Sequence, residues 1–223
     1  MPMGTVVDMT LSSDQFALSE TFEVVPDAKI GTVRVAAHSP RGVLPFLRVS
    51  TSELDAFDAS LQQDETTKDV TCLSASDGRA LYRIRWHDQV RHIVGVFVQT
   101  GGSLIRAHAH DGRWKLRVLF PSRESVSVTY QNWREQGINP SIQRVNGVSD
   151  MLDGSGIDLS PCQHRTLVEA FETSYYDVPR GITLDGLADE LDVSHQALSE
   201  RLRRGHRNLI GSTLCESPIP NRY

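Results

Sequence analysis

The stretch TLDGLADELDVSHQALSERLRRGHRNLI, residues 183–210, decides how the C-terminal part of this chain folds. Thr183 has the hydroxyl of an N-cap and precedes an apolar stripe. Leu184, Leu187, Ala188 and Leu191 recur at i, i+3, i+4 and i+7, the pattern of a short helix with one buried face. A tight turn at Asp192 and Val193 follows. Ser194 then caps a further helix, whose Leu198 and Leu202 continue an apolar face. This is the steric frame of a helix-turn-helix. Ala188 is small where two helices must touch, and Leu198 is the buried residue of the following helix. Asp192, four residues after Ala188, falls where the turn prefers left-handed backbone. Gly is the usual residue there; Asp adopts that conformation less readily, though better than most side chains.

The last helix of the frame carries Arg201, Arg203, Arg204 and Arg207, yet the chain has 28 acidic against 23 basic residues and a formal net charge of -5. Its 23 basic residues include only three lysines, Lys29, Lys68 and Lys115. Such local asymmetry bears on partner choice more than net charge does. If the helix docks in the major groove, its first turns face base edges. Ser194, His195, Gln196, Ser199 and Arg203 are then the base-reading candidates, with Glu200 also pointing outward. Gln pairs with adenine and Arg with guanine in bidentate fashion. Arg201, Arg204 and Arg207 lie further along and suit phosphate contacts, which position a domain without specifying sequence. The alternative is a solvated basic face on an adaptor that contacts the transcription machinery rather than DNA. The acidic residues Glu169, Glu172, Asp177, Asp185, Asp189 and Glu190 would repel DNA if they faced it. Modest affinity per domain follows, and a homodimer with recognition helices about 34 Å apart would fit successive major grooves.

Upstream, Ser160, Pro161 and Gln163 form the opening of a capped helix, with Leu167, Ala170 and Phe171 on one face and an end near Tyr175. Before it, NGVSDMLDGSGIDLSP, residues 146–161, lacks aromatic residues and is rich in Gly, Ser and Asp, as a linker is. The expected division is an α+β regulatory or dimerisation domain over 1–148, a linker over 149–158, an all-α helix-turn-helix domain over 159–212 and a tail over 213–223.

In residues 1–148, period-2 strand patterns alternate with helical ones, as βαβ four times over, starting near residues 5, 43, 79 and 113. DGRALYRIRW from Asp77 recurs as DGRWKLRVLF from Asp111. Asp-Gly between alternating strands marks a tight hairpin, because Gly supplies positive φ. The expected fold here is tandem ferredoxin-like layers of helices on one sheet face. Trp86, Trp114 and Trp133 read as core aromatics. Such layers can also bind a small effector at an edge or dimerise, and no effector is identifiable.

Other chemistry is not signalled. His108 and His110 are two apart on a strand beside Asp111, but a metal needs three or four ligands, and nothing in the spacing of His87 or His92 completes a set. Cys72, Cys162 and Cys215 have neither zinc nor redox spacing. No nucleophile elbow, phosphate-cradling glycine loop or helical His pair is present, so neither an enzyme nor a cofactor is expected. No run is apolar enough to span a membrane, and the first 20 residues have no signal-peptide pattern, so a cytoplasmic protein is expected.

Residues 159–210 resemble the helix-turn-helix domain of bacterio-opsin activator (Bat)-type regulators of haloarchaea, most specifically in YYDVP at Tyr175–Pro179 and in Ser194–Arg204. DMTLSSDQFALSETF, DGRALYRIRW and GRWKLRVLF also resemble the domain that accompanies it in that archaeal family. The resemblance implies a DNA-binding transcription regulator without naming its target genes. The Asp192 turn departs from the family's usual Gly. No PAS- or GAF-like sensor region is read here, so light, oxygen or redox sensing is not implied.

Overall fold

The computed structural model describes residues 4–33, 45–148 and 159–213, with side chains as far as residue 211. It divides into two compact units, Met1–Val148 and Ser149–Tyr223. The linker expected at 149–158, Cys215, and the tail after Thr213 lie outside the described residues.

The first unit alternates strands and helices. These are β1 (Thr5–Ser12), α1 (Ser19–Val24), β2 (Lys29–Thr32), β3 (Phe46–Ser50), α2 (Leu54–Gln63), β4 (Thr67–Ser76), β5 (Arg79–Trp86), α3 (Asp88–Gln99), β6 (Ser103–His110), β7 (Arg113–Phe120), α4 (Arg123–Glu135) and β8 (Ser141–Gly147). The helix expected around 13–25 is split into a 3-10 turn at Ser13–Gln15 and α1, because Leu18 takes a left-handed conformation between them. Both Asp-Gly pairs form the expected hairpin turns. Asp77 and Gly78 have φ of 49° and 71°, and Asp111 and Gly112 have 51° and 65°. Ser122 caps α4 by accepting the Ser125 N–H, and Gly137 follows its end at φ 77°.

All strands join one antiparallel sheet in the order β4-β5-β3-β2-β6-β7-β1-β8. The helices of this unit therefore pack on one continuous sheet. Only two of the four βαβ segments place their strands parallel around a third, β3-α2-β4 around β5 and β7-α4-β8 around β1. β1 pairs with β7 and β8 in the far half, and β5 pairs with β3 and β4 in the near half. Local periodicity sets element type; partner choice depends on which apolar faces can be buried together, and here that joins the halves through β2 and β6.

The core lies between the sheet and its helices. Tyr82, Ile84 and Trp86 of β5 and Trp114, Leu116 and Val118 of β7 point into it with Phe57, Phe97 and Trp133. The two deepest indoles are satisfied: Trp114 Nε1–H donates to the Ala17 carbonyl at 2.8 Å and Trp133 Nε1–H to that of Ile93 at 3.1 Å. Buried Asp64 ties α1 to the α2–β4 turn by accepting the Thr21 N–H at 3.0 Å and its hydroxyl at 2.8 Å. The outward positions of β5 and β7 carry Arg79, Arg83, Arg85, Arg113, Lys115 and Arg117.

The second unit has α5 (Pro161–Glu172), α6 (Leu184–Glu190) and α7 (His195–Thr213). Its separate core is Leu167, Ala170, Leu187, Ala188, Leu198 and Leu202. α5 opens with the expected capping box between Ser160 and Gln163 and ends at Glu172, short of Tyr175, where Ser174 turns left-handed at φ 59°. Phe171, expected on its buried face, is exposed. No helix among the described residues is long and apolar enough to cross a membrane.

Candidate nucleic-acid interface

The turn between α6 and α7 is built as its sequence demands. Thr183 Oγ1 accepts the Gly186 N–H at 3.1 Å and starts α6. Asp192 adopts φ 51°, the left-handed conformation, and the Val193 N–H then returns to the Ala188 carbonyl at 3.0 Å. Ser194 Oγ accepts the Ala197 N–H at 3.2 Å and starts α7. Ala188 and Leu198 are buried, so the packed side of α7 is set by Leu198, Leu202 and Gly205.

With that side inward, the opposite stripe of α7 carries Gln196, Glu200, Arg203, Arg204 and Arg207, all exposed. Ser194 and His195 are exposed at its start, and Ser199 is half-buried on its flank. His195 Nε2 lies 3.7 Å from Asp185 Oδ1 in the first turn of α6, with both side chains exposed. Arg204 Nη2 donates to Glu200 Oε2 at 3.1 Å, one turn back. An exposed pair of this kind contributes little to stability. Arg203, Arg207 and Ser199 line a shallow groove of about 440 Å³ with Tyr175 and His206.

Arg201 is placed differently from its neighbours. It is half-buried, and its Nη1 reaches Thr166 Oγ1 on α5 at 3.5 Å. Helical rotation turns position 201 toward α5, so it braces the helix pair.

Three features were not read from the sequence. Ala197 is exposed in the first turn of α7, where a methyl group can meet a thymine methyl. Tyr176 OH and His206 Nε2 are 2.7 Å apart, pinning the α5–α6 connection to α7; burial, then Tyr175, pushes the Tyr176 phenol pKa up. Gly205 is buried, and a Cβ there would lie 3.0 Å from Leu167 Cδ1, so it sets the closeness of α5 and α7. A glycine inside a helix was the available signal for that approach.

His108 and His110 share a sheet face as expected, with His108 Nε2 and His110 Nδ1 buried and without hydrogen-bond partners. Burial, aided by Lys115 and Arg106, lowers His108 to about 4. Among the described residues no group of three His, Cys, Asp or Glu side chains is arranged to hold a metal.

Comparison with known families covers both units. The family described as HTH DNA binding domain matches residues 159–211. The family described as GAF and HTH_10 associated domain matches residues 5–139, more than half of the chain. No curated protein matches it.

Proposed function

The chain belongs to the GAF and HTH_10 associated domain family, and from that premise we propose that it is a sequence-specific transcription regulator of the bacterio-opsin activator type. Its HTH DNA binding domain reads the major groove of double-stranded DNA through α7. The observation that carries this reading is the turn. Ala188, left-handed Asp192, the Ser194 cap and buried Leu198 together leave Gln196, Arg203 and Arg204 facing outward on one stripe.

In this reading Ser194, His195, Gln196, Ser199 and Arg203 contact base edges, and Arg204 and Arg207 hold phosphates. Arg201, with its Nη1 3.5 Å from Thr166 Oγ1, has further N–H groups for the phosphate backbone. Residues 149–158 connect the domains, and the N-terminal unit serves regulation or homodimerisation, which would place two copies of α7 on successive major grooves. We read its sheet as two ferredoxin-like halves that have exchanged their first strands, β1 and β5; the strand order supports this.

Binding to duplexes selected from a random pool tests the function. Arg203→Ala should weaken the preferred site by roughly 1–3 kcal/mol and relax its specificity. Arg204→Ala should weaken all duplexes about equally and flatten the salt dependence. No retention of any duplex at low salt, with neither change having an effect, would favour the adaptor reading.

A further inference from the structure

We propose that the face of the N-terminal sheet that carries no helix among the described residues is a second surface for duplex DNA, holding backbone phosphates outside the segment that α7 reads. This rests on the DNA-binding function proposed above.

Strand alternation sends most apolar residues of β5 and β7 inward and their basic residues outward, where half-buried Leu81 and Leu119 lie among them. The register makes the outward positions one continuous surface. Lys115 lies opposite His108, His108 opposite Gly31, and Gly31 opposite Arg48, which lies opposite Leu81 of β5. Arg79 and Arg83 extend this surface on one side and Arg113 on the other, and all three are exposed. Two carboxylates on the face are already engaged: Asp69 lies 3.0 Å from Arg85 Nε, and Asp8 lies 2.6 Å from Arg117 Nε.

The unit's other face has the opposite character. Residues 1–148 contain 16 basic and 16 acidic residues, so the unit is neutral as a whole. Its acidic residues concentrate on and around the helices, as in Glu20, Glu23, Asp55, Asp58 and Asp88. A neutral body with separated charge orients in the field of a polyanion, sheet side inward. The depressed His108 pKa, caused by burial and then by Lys115 and Arg106, agrees with a positive potential on this face.

The side-chain types select among polyanions. The face is mainly arginine, whose planar fork matches phosphate oxygens in bidentate fashion. Single-stranded nucleic acid would need exposed rings for base stacking. Among the described residues the face offers only Phe46 besides its histidines, and Phe46 is half-buried. A duplex presents dense phosphate charge with no demand for stacking. Because α7 already tethers the chain to DNA, even a weak second contact acts at high effective concentration.

The test uses the full chain, a long mixed-sequence duplex and a salt titration. Arg113→Thr with Lys115→Thr on β7, and Arg79→Thr with Arg83→Thr on β5, remove charge while keeping strand-forming residues. Each pair should reduce the slope of log affinity against log salt by about 1.8, at about 0.9 per lost phosphate contact, and lower low-salt affinity about tenfold. Tryptophan emission reports that the sheet remains folded. If a pair disturbs it, Lys115→Gln alone should reduce the slope by about 0.9. Unchanged slopes, with affinities within about twofold, overturn the proposal; if Arg204→Ala still weakens binding, the function of α7 stands without it. If duplex binding is unchanged but binding to polyglutamate falls, the face serves an acidic protein partner and the proposal is again overturned. If the sheet pairs weaken binding while Arg204→Ala and Arg203→Ala do not, the sheet surface is upheld and the role of α7 fails.

Discussion

Replacing Leu198 by Ala should separate the two units energetically. Leu198 is fully buried in a core of six buried hydrophobic residues among the described ones. Its truncation removes apolar burial and leaves a cavity that short helices fill only in part, at a cost of about 2.7–5 kcal/mol. Residues 159–211, at roughly 0.05–0.15 kcal/mol per residue, have a total stability of about 3–8 kcal/mol. The substitution therefore consumes most of that stability, and α7 loses its alignment. All three tryptophans, Trp86, Trp114 and Trp133, belong to the other core, so their emission reports the sheet unit alone. In a urea titration the tryptophan midpoint should stay at the wild-type value, while part of the helical circular dichroism is lost at much lower urea. Retention of low-salt duplex should fall at least about tenfold. A single transition, shifted equally for both signals, would refute the independence of the cores. Wild-type DNA retention with unchanged helicity would refute the role assigned to Leu198 itself.

Asp192→Gly should stabilise the helical unit by about 0.5–1 kcal/mol, since glycine adopts φ 51° without a Cβ penalty; the urea midpoint of its helical signal measures this. Gly78→Ala should destabilise the sheet unit by about 1–3 kcal/mol, because the new Cβ would meet the Thr51 carbonyl oxygen at 2.8 Å with φ at 71°. Gly137→Ala, at φ 77° but with no atom within 4 Å, should cost less, and comparing the two by tryptophan emission isolates the clash. His108, held to about 4 in the folded state against 6.5 in the unfolded chain, should weaken the sheet unit as pH falls between those values. There the unfolded chain takes up a proton that the folded state refuses. His108→Gln should flatten that part of the profile, and an unchanged slope would show that other groups produce it.

The helical unit was largely legible from residue order because its determinants are local. Thr183 and Ser194 cap helices within three residues, and Asp192 turns the chain within one. The two Asp-Gly hairpins were legible for the same reason. Arg201 was harder to place. Its charge suited a phosphate, and only the approach of α5 shows that its guanidinium reaches Thr166. Gly205 likewise gains meaning only against Leu167.

Sequence by itself determined the Asp-Gly hairpins, the helix-turn-helix caps and the type of most elements, because φ preference, capping and apolar period act over a few residues; it did not place the break at Leu18 or the end of α5. Tertiary structure decided where β1 and β5 pair. Both strands alternate in the same way, so either half of the sheet suits their local pattern. Their positions rest on pairings between residues far apart in sequence, Thr5–Ser12 with Arg113–Phe120 and Arg79–Arg83 with Phe46–Ser50, which no short segment encodes. The same arrangement gathers arginines from separate strands onto one face, although they are scattered along a chain that is acidic overall.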